Sequence, residues 1–354
     1  MQMKPMHKAK GNNMNPAYFD LLEALYQGGS LSQSQSYAIF NDVMRGDMGN
    51  LELTAFLVAL KLKGETSEEI AGAAAAMRDN AVVFARPDYA FSDLVGTGGD
   101  GHNTINISSA AAVVAASCGI KVAKHGNRSV SSKSGSSDLF AGFGIKLDMS
   151  PQTARKCLDE AGFCFLAAPV YHTGVKHAMP VRLALKTRTL FNVLGPLANP
   201  ASPSHGIYGV YEPKLVPIYA QTLLNLGHEN ALVVHGSGLD EIALHGPSTA
   251  IHVHNNTLHE FTLAPSDFGI SEMPLDAILG DTPEYNVNAI NKVFNGEGES
   301  AHIHAIAINA ASLLWLHDTQ QPFRAHFNTV MQAIAEKKPM QTISHAARIS
   351  QGGL

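Results

Sequence analysis

Two stretches of the chain carry most of its potential chemistry. Between Gly96 and Ser109 it reads GTGGDGHNTINISS, and from Lys124 it reads KHGNRSVSSKSGSSD. The first offers glycines whose missing side chains expose backbone N–H groups. Thr104, Asn106, Ser108 and Ser109 follow as short polar donors. The second sets Lys124, Arg128 and Lys133 among Asn127, Ser131, Ser132 and Ser136. Glycine turns, hydroxyls, amides and cations in this density suit a ligand with several phosphate oxygens.

Gly96, Gly98 and Gly101 also satisfy G-x-G-x-x-G, a pattern associated with dinucleotides. That reading requires a helix starting at the glycines, so that its N-terminal dipole faces the pyrophosphate. Here DGHNTINIS intervenes. It also requires a carboxylate at the end of the next strand for the ribose hydroxyl, where this chain has Lys124. No G-x-x-x-x-G-K-[ST] occurs, so a nucleotide P-loop is excluded.

The elements that must position these turns fall into two groups. From Pro16 to about Val83 the pattern is helical, with a capping signal at Thr66 to Glu69. From FSDLVG onward, short apolar runs precede glycine turns and helices: GIKVAKHG, CFLAAPVY, HGIYGVY, NALVVHG and AIHVH. Such alternation predicts an α/β domain with a mostly parallel sheet, whose C-terminal edge would bring the two turns together. The expected organisation is a tail (1–13), a small all-helical domain (14–84, with 176–200 returning to it) and a larger α/β domain (85–175 and 201–354).

With 354 residues, 45% of them hydrophobic, the chain can bury a large core. A formal charge of -5 argues against nucleic acid or anionic membrane as partners. Three cysteines without a C-x-x-C pair, no signal peptide and no apolar run of about 20 residues predict a cytoplasmic protein.

The motifs GTGGD, NIS, KHGNR with SSKSGSSD, APVYHTGVKHAMPVR, RTLFNVLGPLANP, GLDE and DFG, in this order, resemble those of the anthranilate phosphoribosyltransferases from Met14 onward. The resemblance implies a nucleoside phosphorylase/phosphoribosyltransferase-like fold. It implies Mg2+, a homodimer through the helical domain, and transfer from 5-phosphoribosyl 1-diphosphate to anthranilate. Carried over by position, Gly96, Gly99, Asp100, Thr104, Asn106, Ile107, Ser108 and Ser109 would line the phosphoribosyl diphosphate. So would Lys124, His125, Gly126, Asn127, Arg128, Ser129, Val130, Ser131, Ser132 and Ser136. Gly96, Asn127 and Arg182 would meet anthranilate, while Ser108, Asp240 and Glu241 would hold the metal. Ser109 stands where many members have threonine, keeping the hydroxyl.

The chemistry agrees with these residue types. Departure of pyrophosphate leaves negative charge to be neutralised, and magnesium with one or two carboxylates serves that end. Asp240 and Glu241 would point apart on a regular strand, so they are expected in the turn after ALVVHGSG. The aromatic amine is neutral at pH 7 and needs no strong base; His125 is the candidate for orienting it, with Lys124 beside it. Arg182 can grip the anthranilate carboxylate with a two-pronged hydrogen bond. The 17 histidines, notably His252, His254, His259, His302 and His304, lack the partners of a closed zinc site and read as surface or packing residues. Two rivals, a pyrimidine nucleoside phosphorylase-like enzyme and a non-catalytic nucleic-acid-binding relative, fit GLDE, KHGNR and the net acidity less well.

Overall fold

The computed structural model describes residues 16–128 and 133–353. The tail and Ser129, Val130, Ser131 and Ser132 lie outside the described residues. Four helices come first: α1 (Pro16–Tyr26), α2 (Gln33–Arg45), α3 (Asn50–Lys63) and α4 (Ser67–Asp79). Thr66 and Glu69 form the expected capping box on α4. Glu69 does more than cap. Its buried carboxylate accepts from Leu31 N at 2.9 Å, Thr66 N at 2.8 Å and Lys63 Nζ at 2.9 Å, tying three segments of the bundle.

The α/β part runs β1 (Ser92–Gly96), α5 (Ile107–Ser117), β2 (Val122–Gly126), α6 (Ser136–Gly142), α7 (Pro151–Ala161) and β3 (Phe163–Ala167). Short helices α8 (Ala168–Tyr171), α9 (Met179–Leu185) and α10 (Phe191–Leu194) then lead to β4 (His205–Gly209), α11 (Leu215–Asn225) and β5 (Asn230–Gly236). A hairpin of β6 (Ser248–His254) and β7 (Thr257–Leu263) precedes α12 (Pro283–Phe294), α13 (Ser300–His317), α14 (Phe323–Ala335) and α15 (Lys338–Ser350). Strand order is β3-β2-β1-β4-β5-β6-β7. The first five run parallel to one another; β6 is antiparallel to β5, and β7 to β6.

Strand β7 adds to the six expected runs. Its sequence, TLHEFTL, is largely solvent-exposed and lacks a strong apolar signal. The signal present was the two-residue turn Asn255-Asn256, with φ of 49° and 57°, which suits a tight hairpin. Among the described residues no helix is long and apolar enough to cross a membrane.

Two apolar cores flank the sheet. One joins α5, α13 and the first strands. The other contains Leu22, Phe40, Phe56 and Leu60 of the bundle together with Val181, Phe191, Leu194 and Leu197, and continues into Tyr208, Tyr219 and Val233. Residues 178–198 thus pack with the bundle, and that core is shared with α11 and one face of the sheet.

At the edge of the sheet opposite the strand C-termini, His205 and His317 stack with ring centres 4.2 Å apart, and His317 Nε2 bonds Ser92 Oγ at 2.7 Å. Burial, then the neighbouring His205, pushes His317 down to about 4. The unfolded chain takes up this proton near the ordinary imidazole value of about 6.5, so acid favours unfolding across that interval. We expect stability to fall between pH 7 and pH 5, and to fall less in His317→Gln. Urea midpoints at the two pH values measure the difference.

Candidate active site

The parallel strands β1, β2, β4 and β5 all end in glycine, at Gly96, Gly126, Gly209 and Gly236. At all four a Cβ would collide with a neighbour, and at two of them that neighbour is Asp240. A Cβ on Gly96 would lie 2.1 Å from Asp240 Oδ2, and one on Gly209 would lie 1.7 Å from the Asp240 carbonyl oxygen. The turn after β5 therefore lies across the ends of β1 and β4, and carries Asp240 and Glu241 with it, both buried. From the far side Asn309 of α13 holds this turn, accepting from Ile242 N at 3.0 Å and donating to Ile242 O at 3.1 Å.

Each carboxylate has a backbone donor. Gly98 N donates to Asp240 Oδ2 at 2.5 Å, and Ser108 N, in the first turn of α5, donates to Glu241 Oε1 at 3.1 Å. Burial raises the pKa of both, and charge repulsion adds to it, from Asp100 on Asp240 and from Asp240 on Glu241. Hard oxygen donors crowded in this way fit a divalent cation, which would relieve the repulsion. Among the described residues no three His, Cys, Asp or Glu side chains enclose a metal by themselves. Magnesium keeps waters and takes oxygens from a phosphate ligand, so one or two protein carboxylates could hold it.

The two donor-rich turns meet as expected. Asn106 Nδ2 donates to Ser134 O at 3.3 Å, and Ser134 Oγ to Asn106 Oδ1 at 3.2 Å. Asn286 of α12 also donates to Asn106 Oδ1, at 3.0 Å. Thr104 bridges Leu279, and Gly280 N donates to Asn103 O at 2.8 Å, pinning the far end of the glycine turn. Ser136 sits against Gly126 and donates to Asn127 O at 3.1 Å, while Asn127 and Arg128 are exposed.

Three of the expected contact residues have buried side chains. The side chains of Ile107 and Ser109 are buried in the first turn of α5. Lys124 is 2% exposed, its Nζ donating inward to Leu94 O at 2.5 Å instead of standing in the cleft. Its surroundings reveal two residues that the sequence reading missed. Asp93, fully buried, accepts from Asn199 Nδ2 at 2.8 Å, Leu94 N at 2.8 Å and His125 N at 3.3 Å, next to the Lys124 charge. Asn199 Nδ2 also reaches Ala123 O at 2.8 Å. A carboxylate in the middle of the apolar run FSDLVG was the available signal, because buried charge persists only when paired.

His125 is buried, with Nε2 unpartnered and its ring edge-on to His172 at 5.1 Å. Burial, then His172, lowers its pKa well below the usual value, so the imidazole is neutral. Arg182 stands on α9, its guanidinium 5.1 Å from the centre of the Phe191 ring. Among the described residues no ion pair or hydrogen bond joins Arg182 to a carboxylate.

A model of the glycosyl transferase family, a/b domain, matches residues 88–338, and one of the helical bundle domain matches residues 19–81. The anthranilate phosphoribosyltransferase of Aeromonas hydrophila is 54% identical over 93% of this chain and 96% of its own. The chain belongs to the anthranilate phosphoribosyltransferase family. The Vibrio cholerae member is 52% identical over 94% of this chain and 99% of its own. The structure of anthranilate phosphoribosyltransferase from Thermus thermophilus superimposes with a TM-score of 0.89 at 33% identity, covering 94% of this chain and 99% of that one. That of the Saccharomyces cerevisiae enzyme in complex with PRPP and Mg gives 0.88 at 28% identity, covering 96% and 99%.

Within an anthranilate phosphoribosyltransferase, the contact between Gly96 and Asp240 makes a sharp prediction. Gly96→Ala must push the Asp240 carboxylate aside. We expect kcat/KM to fall by about 100-fold or more with the circular dichroism spectrum retained. Gly209→Ala meets backbone instead, and should lower Tm.

Proposed function

We propose that the two joined turns and the carboxylates above them hold 5-phosphoribosyl 1-diphosphate while its ribosyl carbon is transferred to the amine of anthranilate, in the cytoplasm. The products are N-(5-phosphoribosyl)anthranilate and pyrophosphate. The observation that supports this best is the meeting of the turns at Asn106 and Ser134, with Asp240 and Glu241 fixed over the same strand ends.

As the bond from ribose C1 to the diphosphate breaks, the sugar gains positive and the leaving group negative charge. Backbone N–H groups of the glycine turn, with Asn106 and Ser108, receive the phosphate oxygens. Asp240 and Glu241, with Ser108 beside them, would hold magnesium, which when bound neutralises the departing diphosphate. Arg182 and Asn127 orient anthranilate through its carboxylate. His125, neutral and with a free Nε2, orients the amine. The amine attacks as a neutral nucleophile and loses its proton to solvent after the C–N bond has formed, so His125 is not required as a base.

We also propose that two copies pair through the helical unit. Phe19 on α1 and Leu51, Val58 and Leu62 on α3 are exposed apolar side chains, Leu62 at 80%. Sedimentation equilibrium showing a monomer at micromolar concentration would remove this assignment.

Loss of anthranilate fluorescence on adding 5-phosphoribosyl 1-diphosphate and magnesium tests the reaction directly; unchanged fluorescence refutes it. Asp240→Ala and Glu241→Ala should lower kcat by about 100-fold and raise the magnesium concentration for half-maximal rate. Arg182→Ala should raise the anthranilate KM by about tenfold or more, with a smaller effect on the KM of the diphosphate.

A further inference from the structure

Arg188, in the link between α9 and α10, is exposed and pairs with no carboxylate among the described residues. Its guanidinium lies 4.0 Å from the centre of the Tyr211 ring and donates through Nη2 to the carbonyl of Gly99. The link is itself anchored on the bundle: Lys61 Nζ of α3 donates to Thr187 Oγ1 at 2.5 Å and to Arg188 O at 2.8 Å. Tyr211 is tied to the same glycine turn, since its N–H donates to Thr97 Oγ1 at 3.2 Å. A chain of contacts thus runs from α3 to the carbonyl of Gly99.

A trans peptide is planar, with its N–H opposed to its carbonyl. Holding the Gly99 carbonyl therefore fixes the direction of the Asp100 N–H on the other side of the same peptide. We propose that Arg188, stacked on Tyr211, is a positioning residue that sets this peptide so that the glycine turn presents its N–H groups to the diphosphate. The role depends on the shape of the guanidinium, because a planar fork can lie on a ring and reach a carbonyl together. A lysine supplies the charge without that geometry. The inference rests on the transfer reaction proposed above and adds a residue to it.

Steady-state kinetics on Arg188→Ala, Arg188→Lys, Tyr211→Leu and Tyr211→Phe test the assignment. Arg188→Ala and Arg188→Lys should both raise the KM for 5-phosphoribosyl 1-diphosphate by about tenfold, while the anthranilate KM stays near its wild-type value. Tyr211→Leu should move the same constant in the same direction, and Tyr211→Phe, which keeps the ring face, should recover most of the loss. Wild-type behaviour of Arg188→Lys would show that charge alone matters and overturn the proposal. An equal rise in both KM values would mean general loosening and overturn it too. Should Arg188→Ala fail to fold by circular dichroism, Arg188→Lys carries the comparison. Wild-type protein that consumes no anthranilate fails the transfer reading itself. The positioning role is then decided by calorimetric binding of the diphosphate with magnesium, where equal affinity of wild type and Arg188→Lys, or no binding to either, overturns it.

Discussion

The site is organised by one steric constraint: a turn bearing two carboxylates rests directly on strand ends that have no side chains. Glycine at positions 96 and 209 leaves room for the backbone and carboxylate of Asp240, and no larger residue fits without displacing them. From that resting place the turn reaches the glycine loop through Gly98 and α5 through Ser108. The first helical turn of α5 therefore meets a protein carboxylate, whereas in a dinucleotide fold it would meet a phosphate. Crowding Asp240, Glu241 and Asp100 together sets like charges against one another, a repulsion that a divalent cation would relieve.

Below this layer, Asp93, Lys124 and Asn199 form a second polar layer inside the sheet. Charges there are tolerable because donors and acceptors are matched: three N–H groups serve Asp93, and the Lys124 ammonium has a backbone carbonyl. Asn199 comes from the segment that packs with the bundle, so this layer also joins the helical side to β1 and β2. The layer fixes His125, whose N–H it binds, and with it the start of the turn carrying Asn127.

Much of this was legible in the sequence because it depends on local chemistry. Donor-rich glycine turns after apolar runs, and Thr66 with Glu69 ahead of a helix, announce themselves in a few residues. The placement of Asp240 and Glu241 in a turn followed from their adjacency. What remained hidden depends on partners distant in the chain. Lys124 reads as a cation facing a phosphate ligand, yet β2 is covered on both faces and its ammonium donates to the Leu94 carbonyl inside. Asp93 and Asn199, 106 residues apart, acquire meaning only once paired. Strand β7 escaped notice because an edge strand needs little apolar content. Periodicity likewise shows which side of α4 is apolar, without showing that α10 and α11 cover it.

That last arrangement bears on how the polypeptide can be divided. The two family models meet near residues 82–87, and a cut there looks natural. Yet α4 packs against α10, α11 and the Gly195–Ala198 turn, all encoded downstream. A fragment stopping at residue 81 would bare that greasy flank to water, and the remainder would lose its lid. The gene can be split at this point, but the protein made from either half would lack the surface it folds against.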